Sequence, residues 1–243
     1  MATDPELYRL AAEWRPQRPG RRSLRAVADA LVEPHWEGLG VVAALTPDRV
    51  TMVREGLELT VPAELPEALL NAFTAEAALV EGRLTTVALR SGEGGPSGTA
   101  EIVRPSLLVP RFGRKRDDPY LKAREFERRE IAEAPALIDA LAGGERHVLM
   151  ATDLLYLDGT SLHDVPLMER KRLLDGVIDP AFLVRVTPFV RADAFGTLVA
   201  WGSLGFTELH YRAANSHYLA GTENPDCVIA RPPDPNRPPS RTR

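Results

Sequence analysis

The chain has 243 residues, 44% hydrophobic and 26% charged, with a formal net charge of −4. That is the composition of a globular protein long enough to bury a substantial core. No apolar run approaches the roughly 20 residues that span a bilayer, which excludes a transmembrane segment of that kind, and the acidic start "MATDPELYRL" does not read as a secretory leader.

In chain order, "PELYRLAAEW" has apolar residues at helical spacing and predicts a short helix before a Pro/Arg-rich connector, the two together filling residues 1–24. Val41–Ala44 and Val50–Val53 flank "LTPDR" and predict a strand–turn–strand unit. "PAELPEALLNAFTAEA" opens with proline and acids and predicts a helix. "ALVEGRLTTVALR" reads as two strand segments around Glu81-Gly82, and Ser91–Gly98 as a glycine-rich loop with no phosphate-loop pattern. A charged amphipathic helix is predicted from Asp118 to Leu141, ended by "AGGER".

"HVLMATDLLYLDGTSL" then predicts a strand with a tight turn at Asp158-Gly159, and "PLMERKRLLDGV" a short helix. "FLVRVTPFV" alternates up to Pro188, as an edge strand would. A helix from about Asp193 to Leu204 and strands in "GFTELHYR" and "NPDCVIAR" follow, before a disordered Pro/Arg tail over residues 232–243. These elements describe an α+β domain over residues 25–231. The positive charge is almost all arginine, concentrated in "WRPQRPGRRSLR" and "RFGRKRDDPYLKAREFERR". Cys227, the single cysteine, has no zinc-type spacing around it and reads as a packing residue in a reducing cytoplasm. His163, His210 and His217 match no zinc pattern either.

Four segments between Glu33 and Arg231 carry a resemblance. "VEPHWEG" is similar to E-P-K-W-D-G, and "ALVEGRLTTV" to a hydrophobic-D-G-E-hydrophobic motif. "TDLLYLDGTSLHDVPLMERKRLL" is similar to F-D-L-L-Y-L-D-G and the helix after it, and "GFTELHYRAANSHYLAGTENPDCVIAR" to G-x-E-G-L-V-A-K-R-x-N-S-x-Y-x-x-G-x-x-N-P-D-W-L-K-x-K. Together and in this order they resemble the nucleotidyltransferase (adenylation) domain of ATP-dependent DNA ligases, in particular the ligase domain of bacterial end-joining enzymes. The resemblance implies antiparallel sheets flanked by helices, with an insertion over about residues 96–146. A working member would bind ATP and Mg²⁺, form a lysyl-adenylate, and pass the adenylate to a DNA 5′-phosphate.

This chain departs from the family where ATP is touched. His35 stands at the nucleophile's position, Glu37 replaces an aspartate, and Gly40 replaces a nucleotide-contacting arginine. Arg83 replaces a glutamate, Thr152 the phenylalanine that stacks on adenine, and Ile229 a lysine. The family's metal-associated glutamate falls on Thr207, or with a one-residue slip on Glu208. Glu33, Trp36, Glu81 and Arg212 are the residues left for a nucleotide. Arg111, Arg114, Lys115 and Arg116 are candidates for a nucleic-acid or partner surface. The resemblance also implies that the OB-fold lid of family ligases is missing here.

The expectation is a catalytically degenerate ligase-like protein that binds DNA or a DNA-repair protein, with no resident metal. Two alternatives stand beside it. One is an active nucleotidyltransferase using His35, with ATP and Mg²⁺ as cofactors; the other is a repurposed small-molecule-binding domain.

Overall fold

The computed structural model describes residues 4–86, 88–89, 102–103 and 118–236. The candidate cations Arg111, Arg114, Lys115 and Arg116 and the last residues of the tail lie outside them.

Helix α1 (Pro5–Glu13) begins where Asp4 accepts a hydrogen bond from the Leu7 amide at 3.1 Å, with Pro5 set for the first turn. Its connector holds β1 (Arg18–Pro19). Then come β2 (Ala30–Pro34), β3 (Leu39–Thr46), β4 (Arg49–Arg54), β5 (Leu57–Glu58) and α2 (Glu64–Ala72). They are followed by β6 (Ala78–Thr85), β7 (Ala88–Leu89), β8 (Ile102–Val103) and α3 (Pro119–Ala142). The second half holds β9 (Val148–Leu157), β10 (Thr160–Ser161), α4 (Leu167–Val177), β11 (Val184–Val186) and β12 (Val190–Arg191). Last are α5 (Phe195–Ser203), β13 (Leu209–Ala213), β14 (Glu223–Asn224) and β15 (Cys227–Ala230).

Two sheets carry the domain. The larger is ordered β10-β9-β6-β3-β4-β5, with β11 parallel to β9, and the smaller is β12-β2-β13-β15. In β3, Leu39, Val41, Ala43 and Leu45 enter the main core with α2 and the end of α3, while Val42 and Ala44 pack under α1. Both faces of this strand are covered, which is why its sequence is a continuous apolar run. In the smaller sheet, Val32, Leu209 and Tyr211 pack on α5. The intervening Glu33, His210 and Arg212 therefore point the other way, toward the larger sheet. The cleft between the sheets is thus lined with polar side chains by strand periodicity alone.

The α+β architecture agrees with expectation, with two local differences. The stretch Ala78–Thr85 is one strand, β6, running through Glu81-Gly82, with a register shift against β9 at that dipeptide. A Cβ on Gly82 would lie 2.8 Å from the Met150 carbonyl oxygen, so the close approach of β9 requires glycine. "FLVRVTPFV" is divided at Pro188: β11 joins the larger sheet and β12 the smaller one. The N-terminal segment also packs into the body, with Leu7, Leu10, Ala11 and Trp14 buried. The turn at Asp158-Gly159 forms as expected; both residues have positive φ, 43° and 87°, and the Asp158 carboxylate accepts from the Glu76 and Ala77 amides.

Candidate functional site

A cavity of about 550 Å³ opens between the sheets. Its floor includes Glu33, Glu81, Thr152, Arg212 and Cys227; Trp36 and His35 form one side, and the connector after α1 another. Phe126, Glu127, Glu130 and Ile131 of α3 form a further wall. The segments singled out in the sequence thus converge on one place.

Beneath the floor lies a buried charge cluster. Asp153 of β9 accepts from Arg170 Nε and Nη2 at 2.8 and 2.9 Å and from Arg212 Nη1 at 3.1 Å. Glu33 accepts from Arg212 Nη2 at 2.5 Å and from Lys171 Nζ. Arg212 and Lys171 also donate to the Thr152 carbonyl. Arg170 and Lys171 come from α4, so the cluster ties that helix and both sheets together. Burial alone would raise Asp153, but the facing Arg170 guanidinium, then Arg212 and Lys171, hold its carboxyl down at about 2. Burial lowers Lys171 from its usual range, while Glu33 opposes that shift.

Glu81 behaves oppositely. Burial, then the nearby Asp153 charge, pushes it up to about 7, against the pull of Arg212. It accepts from the Tyr218 hydroxyl at 3.2 Å, and that hydroxyl accepts from Trp14 Nε1 at 2.8 Å. Between 4.5, its ordinary value, and about 7 the native state holds a proton that the unfolded chain has released. Stability from this group therefore falls as pH rises through that window and levels off above it. In Glu81→Gln this slope is absent, so urea midpoints at about pH 5 and about pH 8 are expected to lie closer together than in the unmodified chain. An unchanged gap would show that Glu81 ionises normally.

The positions that depart from the family are engaged by α3. His35 is 6% exposed, stacked on His210 at 4.9 Å with an interplanar angle of 7°, and meets the Phe126 ring edge-on at 5.0 Å. Its Nε2 lies 4.0 Å from Glu130 Oε1. Arg83 makes a two-pronged contact with Glu130 at 2.8 and 2.6 Å and also donates to the Gly38 carbonyl. Glu208 accepts from Arg129 at 2.6 Å. Burial, and next the Arg212 charge, lowers His210 to about 3, so this ring stays neutral.

Other sites have plain structural roles. Thr152 offers no ring to stack on and donates its hydroxyl to the Glu81 carbonyl at 3.2 Å. Trp36 packs edge-on against Phe206 at 5.0 Å. Burial pushes the Cys227 thiol up to about 12. Arg54 lines the cavity and donates to the Gly40 carbonyl at 2.7 Å. Arg54, Phe126, Glu130, Arg170 and Lys171 were not legible as site residues in the sequence.

These residues do not fit Mg·ATP as family enzymes hold it. The Glu33 and Asp153 carboxylates are already committed to Arg212, Arg170 and Lys171. Among the described residues no group of three His, Cys, Asp or Glu side chains converges on one point. Lys171 reaches Glu33 from beneath the floor and does not line the cavity.

The fold is that of the adenylation domain of ATP-dependent DNA ligases. Over 90% of its length the chain superposes on the ligase domain of Mycobacterium tuberculosis LigD, with a TM-score of 0.54 and 18% identity. It likewise superposes on mycobacterial DNA ligase D complexed with ATP and MES, with a TM-score of 0.55, 19% identity and 90% coverage. It spans 59% and 60% of those two chains. No family model and no curated protein sequence matches it. No described helix is long and apolar enough to cross a membrane.

Proposed function

We propose that this chain is a catalytically degenerate DNA ligase-like protein, a binding or scaffolding component of DNA repair or end joining in the cytoplasm. The observation that carries the reading is the setting of His35. The side chain at the nucleophile's position is buried, stacked on His210 and covered by Phe126 of α3. An attacking group must reach its phosphorus within about 3–3.5 Å and in line. Packed against His210 and Phe126, the His35 ring is held out of that approach for as long as α3 covers it. DNA, or a protein of DNA repair, is the partner that this ligase-like form suggests. The basic run of Arg111, Arg114, Lys115 and Arg116 is proposed as the surface offered to phosphates.

The cavity of about 550 Å³ favours a second reading, a domain repurposed to hold a small molecule.

Intact-mass spectrometry of the protein incubated with ATP and Mg²⁺ or Mn²⁺ separates binding from catalysis. No adenylate-sized gain is expected, whereas the same preparation should bind duplex DNA with an affinity that falls as salt rises. A gain that disappears in His35→Ala would make His35 a nucleophile and end the degenerate reading.

A further inference from the structure

Within the cavity the Glu130 carboxylate sits as an anionic ligand would. Its two oxygens take the fork of Arg83 Nη1 and Nη2, and one lies 4.0 Å from His35 Nε2. A second guanidinium stands close by. A Cβ built on Gly40 would lie 3.5 Å from both Arg54 Nη1 and Arg83 Nη1, so the glycine leaves an open corner between two cations. An arginine fork accepts two oxygens of a phosphate as readily as those of a carboxylate, and a phosphate monoester brings more charge.

The helix that delivers Glu130 is built in two parts. Pro135 lies inside α3 and has no N–H to donate to the Ile131 carbonyl, so the helical ladder is interrupted there. Beyond it, Leu137, Ile138 and Leu141 are packed into the main core. Before it, the helix is held by buried Ala123 and Phe126, by Ala134 at the edge of the main core, and by two ion pairs, Glu130–Arg83 and Arg129–Glu208. Ion pairs of this kind are what a competing anion displaces; before Pro135 the apolar contact is with small Ala123 and Ala134 and the one ring of Phe126, whereas Leu137, Ile138 and Leu141 anchor the part beyond it.

We propose that the corner formed by Arg83, Arg54 and Gly40 is a phosphate-binding site which Glu130 occupies as a built-in competitor, the part of α3 before Pro135 moving aside when a phosphate group enters. The inference goes beyond the function proposed above and holds whether or not His35 does chemistry.

The test is titration of the full chain with inorganic tripolyphosphate, followed by tryptophan fluorescence. Removing the internal competitor in Glu130→Gln is expected to tighten binding about tenfold, since the open form no longer has to be won from the closed one. Adding Arg83→Gln to that variant should abolish the gain. Equal affinity of the unmodified chain and Glu130→Gln, or a gain that survives Arg83→Gln, overturns the proposal. Should Glu130→Gln fail to fold, hydrogen exchange on the unmodified chain decides. Residues 119–134 should lose protection at saturating tripolyphosphate while residues 136–142 keep theirs, and unchanged protection overturns it. A 5′-phosphorylated oligonucleotide and its 5′-hydroxyl twin then identify the source. Preference for the phosphorylated strand assigns a nucleic-acid terminus, and equal binding assigns a free phosphate compound.

Discussion

Replacing Asp153 by alanine is expected to lower the unfolding free energy by about 3–5 kcal/mol, the usual loss when one partner of a buried ion pair is removed. Asp153 has no solvent-exposed surface, and its oxygens accept from Arg170, from Arg212 and from the Leu154 amide. Without it, Arg170 remains buried with no carboxylate partner from this cluster, and Glu33 is the acid left on Lys171 and Arg212. The change is read as a drop in urea midpoint at constant slope. The pH dependence has a definite sign. The folded carboxyl lies at about 2 against an ordinary 3.8, so its contribution is present above 3.8 and fades as pH falls toward about 2. Asp153→Ala should lack that acid limb. A loss below about 1 kcal/mol, the range of exposed pairs, would show that the cluster does not hold the sheets together.

Reversing Arg83 to glutamate is the second large effect. It would set a carboxylate against Glu130 and withdraw the donor to the Gly38 carbonyl, inside a contact whose side chains are 14% and 18% exposed. A loss of about 2 kcal/mol is expected, below the fully buried case because water still screens part of the pair. The loss should be local, with faster hydrogen exchange in residues 119–134 and little change in β9. Adding Glu130→Arg restores the pairing with its charges exchanged. The double variant should therefore recover most of the protection, short of the part that came from Gly38. If the double variant is no better protected than Arg83→Glu alone, the pair does not hold α3 in place.

Several features of the site follow from strand periodicity and so were open to reading. Glu33 and Arg212 belong to strands whose neighbours Val32 and Tyr211 are apolar, and alternation sends both polar groups to one face. The cap at Asp118, the turn at Asp158-Gly159 and the continuous apolar run of β3 are likewise local patterns. Glu130 is different. Its partner Arg83 is 47 residues away, and nothing in "FERREIAEAP" distinguishes a glutamate facing a cleft from one facing water. Arg129 and Glu130 turn inward to Glu208 and Arg83.

Arg170 and Lys171 make the same point in α4, where "MERKRLL" shows a short helix but not that two of its cations are almost wholly buried. Charge is ordinarily left in water, and its burial depends on carboxylates supplied by distant strands. The sequence by itself determined the fold class and the order of the elements, since these rest on local spacing and residue identity. Only the tertiary structure decided what His35, Arg83 and Asp153 touch. The partners of His35, Arg83 and Asp153 come from other strands and helices, and pairing energies at such separations exist only once the chain has folded.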